Sequence, residues 1–325
     1  MAERVLISGG AGFIGVHLAR ALVARGDRVT LLDDFSRGRR DADLAALLPR
    51  VELQEWDLTA PLPDDLLAGS YTQVYHLAAR VGVQQSERQP DLVLRDNLLS
   101  TIHLLDWCAR RPGLTVGFAS SSEVYAGTVA AGRAPVPTPE TVQLTVPVPP
   151  VARACYGASK IAGELLCDYY GRAHGLRIRV FRLHNVYGPR MGRAHVVPQF
   201  VERARRGADP FDVFGDQRRC FCHVDDAVRA ILLVMALDLA APLVANVGND
   251  REEIGMLDLA RKVTRLAGYA PAIAVQAAPA GSPERRCPDL RLLRSLVAYE
   301  PRVDLDRGLE QTYRWYECAS QGQGE

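Results

Sequence analysis

Tyr156 and Lys160, in the run "CYGASK", are four residues apart, and on a helix that spacing puts both side chains on one face. An ammonium beneath a phenol stabilises the phenolate and draws its pKa down from about 10 toward neutrality. A tyrosine poised there can take and return the proton of a substrate hydroxyl, the work of a general acid/base. With 11 tyrosines and only two lysines in 325 residues, such a pair is an uncommon coincidence. A second cluster is "FASSSEVYAG", Phe118 to Gly127, where an apolar run ends in Ser120, Ser121 and Ser122 and then Glu123. A carboxylate beside strand-end serines is either a base set against something acidic or a structural acceptor for its own loop. The residues alone leave both open.

These groups need a scaffold, and the first half of the chain has the pattern of one. Apolar runs at 4–9, 28–34, 51–58, 73–79, 114–122 and 176–188 read as strands, with helical periodicity at 12–26, 90–111 and 156–175. Apolar strands separated by helices predict a Rossmann-like doubly wound parallel α/β sheet, covered on both faces. The expected domains are 1–188, with 221–247 returning to it, and 189–325 as mainly a smaller α/β substrate lobe. The Pro-rich, aperiodic stretch 127–152 reads as an active-site rim or a mobile surface loop. The tail "ASQGQGE" reads as unstructured.

The run "GGAGFIG" places Gly9, Gly12 and Gly15 between the first strand and the first helix. Glycine there lets the backbone turn tightly and approach a pyrophosphate, which sits on the positive helix N-terminus. Asp33, eighteen residues past Gly15 at the end of the second strand, suits a ribose 2′-hydroxyl and repels a 2′-phosphate. NAD is therefore expected, against the contrary charge of Arg37, Arg39 and Arg40 just beyond. Asp57, ending the third strand, reads either as an acceptor for the adenine amino group or as a turn residue.

Composition narrows the partners. A net charge of +1, from 39 basic and 38 acidic residues, gives no long-range field for nucleic acid or an anionic membrane. No apolar run reaches the roughly 18–20 residues of a membrane span. Seven cysteines, with no CxxC pair, suggest neither a disulfide framework nor a zinc site. "MAERVLISGG" enters a strand-like run without an apolar leader, so the expectation is a reduced, cytoplasmic protein without metal.

The motifs "GGAGFIG", "LLDDFSRG", "YHLAA", "SSSEVYA", "YGASK", "RLHNVYGPRM", "DQRRCFCHVDD", "NVGN" and "RRCPD" run nearly end to end. With them the chain resembles the extended short-chain dehydrogenase/reductase family that processes nucleotide sugars. The resemblance implies that Ser121 hydrogen-bonds the sugar hydroxyl being oxidised, with Tyr156 as acid/base and Lys160 as its partner. It puts Phe13, Ile14, Asp34, Leu58, Leu77, Ala78 and Ala79 beside a tightly bound, recycled NAD. It puts Asn185 and Arg219 on the nucleotide diphosphate, Val197 alongside, and Arg286 with Asp289 in a segment facing the nucleotide. A homodimer through helices 90–111 and 156–175 is the family habit.

In that family hydride leaves sugar C4 first, giving a 4-keto sugar whose C3 and C5 hydrogens are acidic. Glu123 stands where 4,6-dehydratases and UDP-glucuronate decarboxylases carry glutamate, whereas a plain 4-epimerase needs no such group. Ser122 stands where dehydratases carry an aspartate, which argues against dehydration. "RACYGASK", "GPRMG" and "RRCPD" are similar to the decarboxylases, while the short "GPRMGRAHVVP" and "VYA" depart from them. The expected function is an NAD-dependent nucleotide-sugar epimerase inverting C4, or C5 with Glu123 as base. The alternative is a UDP-glucuronate decarboxylase, and a non-catalytic NAD or nucleotide-sugar binder is the third reading. His184 and His195 are rival acids, His76 reads as structural, and Cys155, Cys220 and Cys222 read as packed thiols.

Overall fold

In a computed structural model, which describes residues 2–67, 69–278 and 282–321, the apolar runs of the first half become six strands. They are β1 (Arg4–Ser8), β2 (Arg28–Asp33), β3 (Glu52–Glu55), β4 (Gln73–His76), β5 (Thr115–Ser121) and β6 (Arg177–Leu183). A seventh strand, Leu243–Val247, closes one edge, and the order runs Leu243–Val247, β6, β5, β4, β1, β2, β3. Ile7 lies opposite Leu31 of β2 and Tyr75 of β4, both in parallel register. The order reverses between β1 and β4, and ligands of open α/β sheets bind outside the carboxyl ends at such a switch point.

Helices cover both faces, which is why the inner strands are mainly apolar rather than alternating. On one face Leu6, Leu32, Val74, Val116 and Val180 form a core with Leu104, Leu105 and Trp107 of the helix Pro90–Ala109. Each such buried side chain contributes about 1.5–3 kcal/mol. The helix Phe13–Arg25 follows β1, and the helix Ala154–His174 carries Tyr156 and Lys160.

The chain divides into two compact units. The first holds the residues up to Gly127, then Leu144–Arg182 and Val228–Ala245; the second holds Thr128–Gln143, Leu183–Ala227 and everything from Asn246. Thr128–Gln143, expected within 1–188, thus belongs with the second unit, and hydrogen bonds explain why. Thr138 N–H donates to the Cys287 carbonyl (2.9 Å), Asp289 N–H to the Thr138 carbonyl (3.1 Å), and Asn246 N–H to Glu140 Oε1 (2.8 Å). The return to the first unit is also shorter than 221–247, because Cys222–His223 pairs with Val186–Tyr187 in the second.

The second unit has a three-stranded sheet in the order Glu253–Gly255, Arg218–Cys220, Arg285–Arg286, and a parallel pair of Phe211–Phe214 with Ile273–Gln276. Its helices include Val196–Arg205, Met256–Leu266 and Leu305–Gln321. The last of these takes in Ala319 to Gln321, the start of the tail expected to be unstructured; residues 322–325 lie outside those described. No helix among the described residues is long and apolar enough to cross a membrane.

Candidate active site

The glycine loop of the first unit forms a cradle at the switch point. Gly9 has a φ of +69° and donates its N–H to the Leu32 carbonyl at 2.8 Å. A Cβ on it would stand 2.7 Å from the Ala78 nitrogen, and a Cβ on Gly15 would stand 2.3 Å from the Gly9 carbonyl oxygen. Only glycines let the turn close against Leu77–Ala79. Gly12 caps the helix Phe13–Arg25 with no side-chain hydrogen bond and no acidic residue in the first turn. Phe13 and Ile14 open a helix whose positive end is therefore suited to a diphosphate.

Asp33 is buried beside this loop, with Oδ2 accepting from Ala11 N–H and Oδ1 from Phe35 N–H, both at 2.9 Å. A carboxylate oxygen accepts more than one hydrogen bond, so a ribose hydroxyl fits the same group. Arg40 pairs with Glu55 and stacks on Phe35, which offsets part of the positive charge that argued for a 2′-phosphate. Cradle, helix end and Asp33 together fit NAD. Asp34 and Asp57 shape their own turns, accepting from Ser36 N–H (2.9 Å) and Thr59 N–H (2.8 Å). Leu58 is buried, and its carbonyl accepts from His103 Nδ1 at 2.8 Å.

Lys160 is 3% exposed, and its Nζ lies 4.7 Å from the Phe118 ring centre and 5.8 Å from that of Tyr156. Burial draws it down to about 8, while Cys167 and Glu164 oppose the shift, so it stays largely cationic at neutral pH. Tyr156 is pushed the other way from expectation, up to about 12. Burial is the largest cause and the Glu123 carboxylate the next; the hydrogen bond with Ser121 and the charge of Arg37 act against them. The ammonium lies over the ring rather than at the hydroxyl, and so does not by itself make this phenol acidic.

Ser121 Oγ accepts from Glu123 N–H at 3.2 Å, which fixes the turn that follows β5. Ser122 is buried. Glu123 Oε1 is 3.9 Å from Arg153 Nη2, both side chains being about four-fifths covered (22% and 23% exposed). Gly157 lets the helix Ala154–His174 pack against this turn, because a Cβ there would meet the Glu123 carbonyl oxygen at 2.8 Å. Ser121, Glu123, Tyr156 and Lys160 are thus gathered by β5 and one helix.

His76 is buried between Ser8 Oγ (2.7 Å from Nδ1) and Thr101 Oγ1 (3.1 Å from Nε2). Burial, then the charge of Lys160, hold it down to about 3, so it is neutral. Sequence reasoning missed Asn97. Its amide accepts from Arg80 N–H (2.7 Å) and donates to Ser159 Oγ (3.1 Å), and Ser159 Oγ donates to the Tyr156 carbonyl (2.7 Å). An asparagine inside a helix, where it is a poor former, was the available signal. Arg153, Glu164 and Arg182 were missed as well.

In the second unit Arg219 and Arg286 are in register on adjacent parallel strands. Arg219 Nη1 donates to the Arg218 carbonyl (2.8 Å) and Nη2 to Ser282 Oγ (2.9 Å). Asn185, at a φ of +40°, donates from Nδ2 to the Cys220 carbonyl at 3.1 Å. Val197, expected beside the ligand, is wholly buried. Asp289 Oδ2 accepts from Arg291 Nε (2.9 Å) and Nη2 (2.6 Å), which keeps its carboxyl below the usual range. His184, read as a rival acid, is buried with Nε2 3.1 Å from Asn246 Oδ1; His195 is the residue before the helix Val196–Arg205.

A doubly wound sheet, a glycine cradle with Asp33, and a serine, tyrosine and lysine at the end of β5 define an NAD-dependent short-chain dehydrogenase/reductase-type enzyme. More narrowly, residues 5–248 match the NAD dependent epimerase/dehydratase family, and the chain belongs to it. It is 32% identical over 320 residues to UDP-glucuronic acid decarboxylase 1 of Xenopus tropicalis, which covers 97% of this chain and 72% of that protein. Among solved structures it is similar to a UDP-galactose 4-epimerase (31% identity, TM-score 0.81, 97% of this chain and 99% of that one). It is likewise similar to MoeE5 in complex with UDP-glucuronic acid and NAD (28% identity, TM-score 0.83, 97% and 99%).

Proposed function

We propose that the chain is a decarboxylase of a nucleotide hexuronate, UDP-glucuronate being the first candidate, rather than the epimerase inverting C4 or C5 that the sequence put first. The relatives support it, and one observation carries it: Glu123 lies close enough to Tyr156 to raise its phenol, with Arg153 3.9 Å from the carboxylate. Inverting C4 alone has no work for that group.

The glycine cradle and Asp33 would hold NAD, which would supply the hydride acceptor and donor for sugar C4 and a cationic ring that favours the phenolate. Tyr156 takes the C4 hydroxyl proton while Ser121 holds the same oxygen and Lys160 keeps a positive charge beneath them. Oxidation makes the substrate a β-keto acid: the C6 carboxylate leaves as carbon dioxide and its electron pair passes into the C4–C5 enolate. Glu123 handles the proton that C5 then gains. Arg219 and Arg286, with Asn185, hold the nucleotide diphosphate, for which planar guanidinium groups are suited.

The same reading carries a cytoplasmic homodimer. Leu94, Leu165 and Tyr169 of the two long helices are 36%, 52% and 63% exposed, an apolar surface that a second copy would cover. Incubation with UDP-glucuronate in deuterated water is the test. Carbon dioxide and a UDP-pentose deuterated at C5 are expected. A hexuronate inverted at C4 or C5 that keeps its carboxylate would instead restore the epimerase.

A further inference from the structure

We infer that Glu164 and Arg182 are positioning residues, a buried clamp that holds the Ser121–Glu123 turn from both of its flanks. The inference rests on the reading above only in taking Ser121 and Tyr156 as the groups of the hydride step.

Glutamate and arginine are almost never buried unless paired, and these two are 9% and 5% exposed. Arg182, near the end of β6, donates from Nε to Glu164 Oε1 (2.9 Å) and from Nη2 to Oε2 (2.7 Å), a bidentate fork. Its remaining nitrogen, Nη1, donates to the Tyr125 hydroxyl at 2.8 Å, and the guanidinium lies 5.0 Å from the Tyr125 ring centre. Glu164 Oε1 also accepts from Ser120 Oγ at 2.5 Å. Ser120 immediately precedes Ser121, and Tyr125 is two residues past Glu123. The network therefore grips the catalytic segment just before and just after its reacting groups. It ties that segment to the helix that carries Tyr156 and Lys160.

Stability alone does not account for it, because a buried ion pair is often no better than apolar residues of the same volume. Its distinctive property is direction: five hydrogen-bonding atoms fix one geometry. Glu164 also lies one turn beyond Lys160 on the same helix face. The groups facing that ammonium are Glu164, Cys167 and Tyr156 from its own helix, the Phe118 ring from β5 and the neutral His76 from β4. The carboxylate of the clamp is thus also a group that keeps Lys160 charged.

Ser120→Ala and Tyr125→Phe each cut one arm and leave the ion pair intact. Each is expected to slow NADH formation in a single turnover about tenfold, the scale of one lost hydrogen bond, with KM and Tm nearly unchanged. Glu164→Gln keeps an acceptor for Ser120 but removes the charge, and is expected to lower the pH at which Lys160 titrates. The chain has only two lysines, so carbon-13 lysine spectra resolve that titration without any sugar. If Glu164→Gln does not fold, the pair Glu164→Gln with Arg182→Met removes both charges together. Wild-type NADH rates in folded Ser120→Ala and Tyr125→Phe, with an unmoved Lys160 titration, would overturn the proposal. Should UDP-glucuronate give no NADH even with the wild-type chain, the decarboxylase reading fails. The same variants are then compared on UDP-glucose, where the clamp stands or falls separately.

Discussion

Arg179 and Arg182 stand three residues apart on β6, both buried, yet they face opposite ends of the sheet and are neutralised by different chemistry. Arg179 donates to the carbonyls of Ile178 (2.8 Å), Leu237 (2.9 Å), Leu239 (2.6 Å) and Ala241 (3.2 Å). Arg182 is held by a carboxylate and a phenol. The rest of the amino edge is neutralised by separate ion pairs. A cavity of about 1370 Å³ opens there, lined in part by Arg25, Asp27, Arg177 and Asp238, and its charges pair locally, Arg25 with Asp27 at 2.7 Å and Arg177 with Asp238 at 3.3 Å. At the carboxyl edge the partners are phenol, carboxylate, ammonium and imidazole, groups whose protons move. Cavity size and charge count do not set the carboxyl end of this sheet apart; a buried side-chain network joining Ser120, Tyr125, Glu164 and Arg182 does.

The sharpest way to break that contrast is Tyr156→Phe, which is expected to cut NADH formation about 10²–10⁴-fold, read by stopped-flow absorbance. Next, Arg182→Leu leaves the Glu164 carboxylate buried without its partner and is expected to cost about 3–5 kcal/mol in chemical denaturation. Arg179→Leu is expected to cost about 1–3 kcal/mol by stranding carbonyls, with NADH formation intact. A matching loss of rate in Arg179→Leu would erase the distinction between the two ends.

A third measurement uses pH. His76 titrates at about 3 in the folded chain and near 6.5 when unfolded, so the unfolded state binds the extra proton between those values. Stability from this group is complete above about 6.5 and falls as pH drops through that window. His76→Asn is expected to flatten that part of the acid-unfolding curve. The smallest effect is expected at the amino edge: Arg25→Gln and Arg177→Gln should stay within about 0.5 kcal/mol of wild type, with unchanged turnover.

What the sequence made legible was local. Gly9, Gly12 and Gly15 sit in one turn, and Tyr156 and Lys160 on one helix face, so spacing along the chain was enough to find them. The clamp joins Glu164 to Arg182, eighteen residues on, and Arg182 to Tyr125 across 57, and no periodicity records that. The hint was that two of the three arginines in "RIRVFRL", Arg179 and Arg182, fall inside a buried strand, where each must have a partner. The state of Tyr156 was not legible for a related reason. Lys160 is next to it in helical spacing, but burial and Glu123, which reaches it from another element, outweigh that proximity.

The chain passes from one unit to the other at five places, the last between Ala245 and Asn246. Its sheet therefore lacks an edge strand until Leu243–Val247 has been synthesised, three quarters of the way along. A nascent chain on the ribosome must keep β6 unpaired on that side through some sixty residues of the other unit and the returning helix. Neither unit can be excised as a contiguous gene fragment. Any chimera that exchanges the second unit with a relative's has to transplant Thr128–Gln143 together with both later segments.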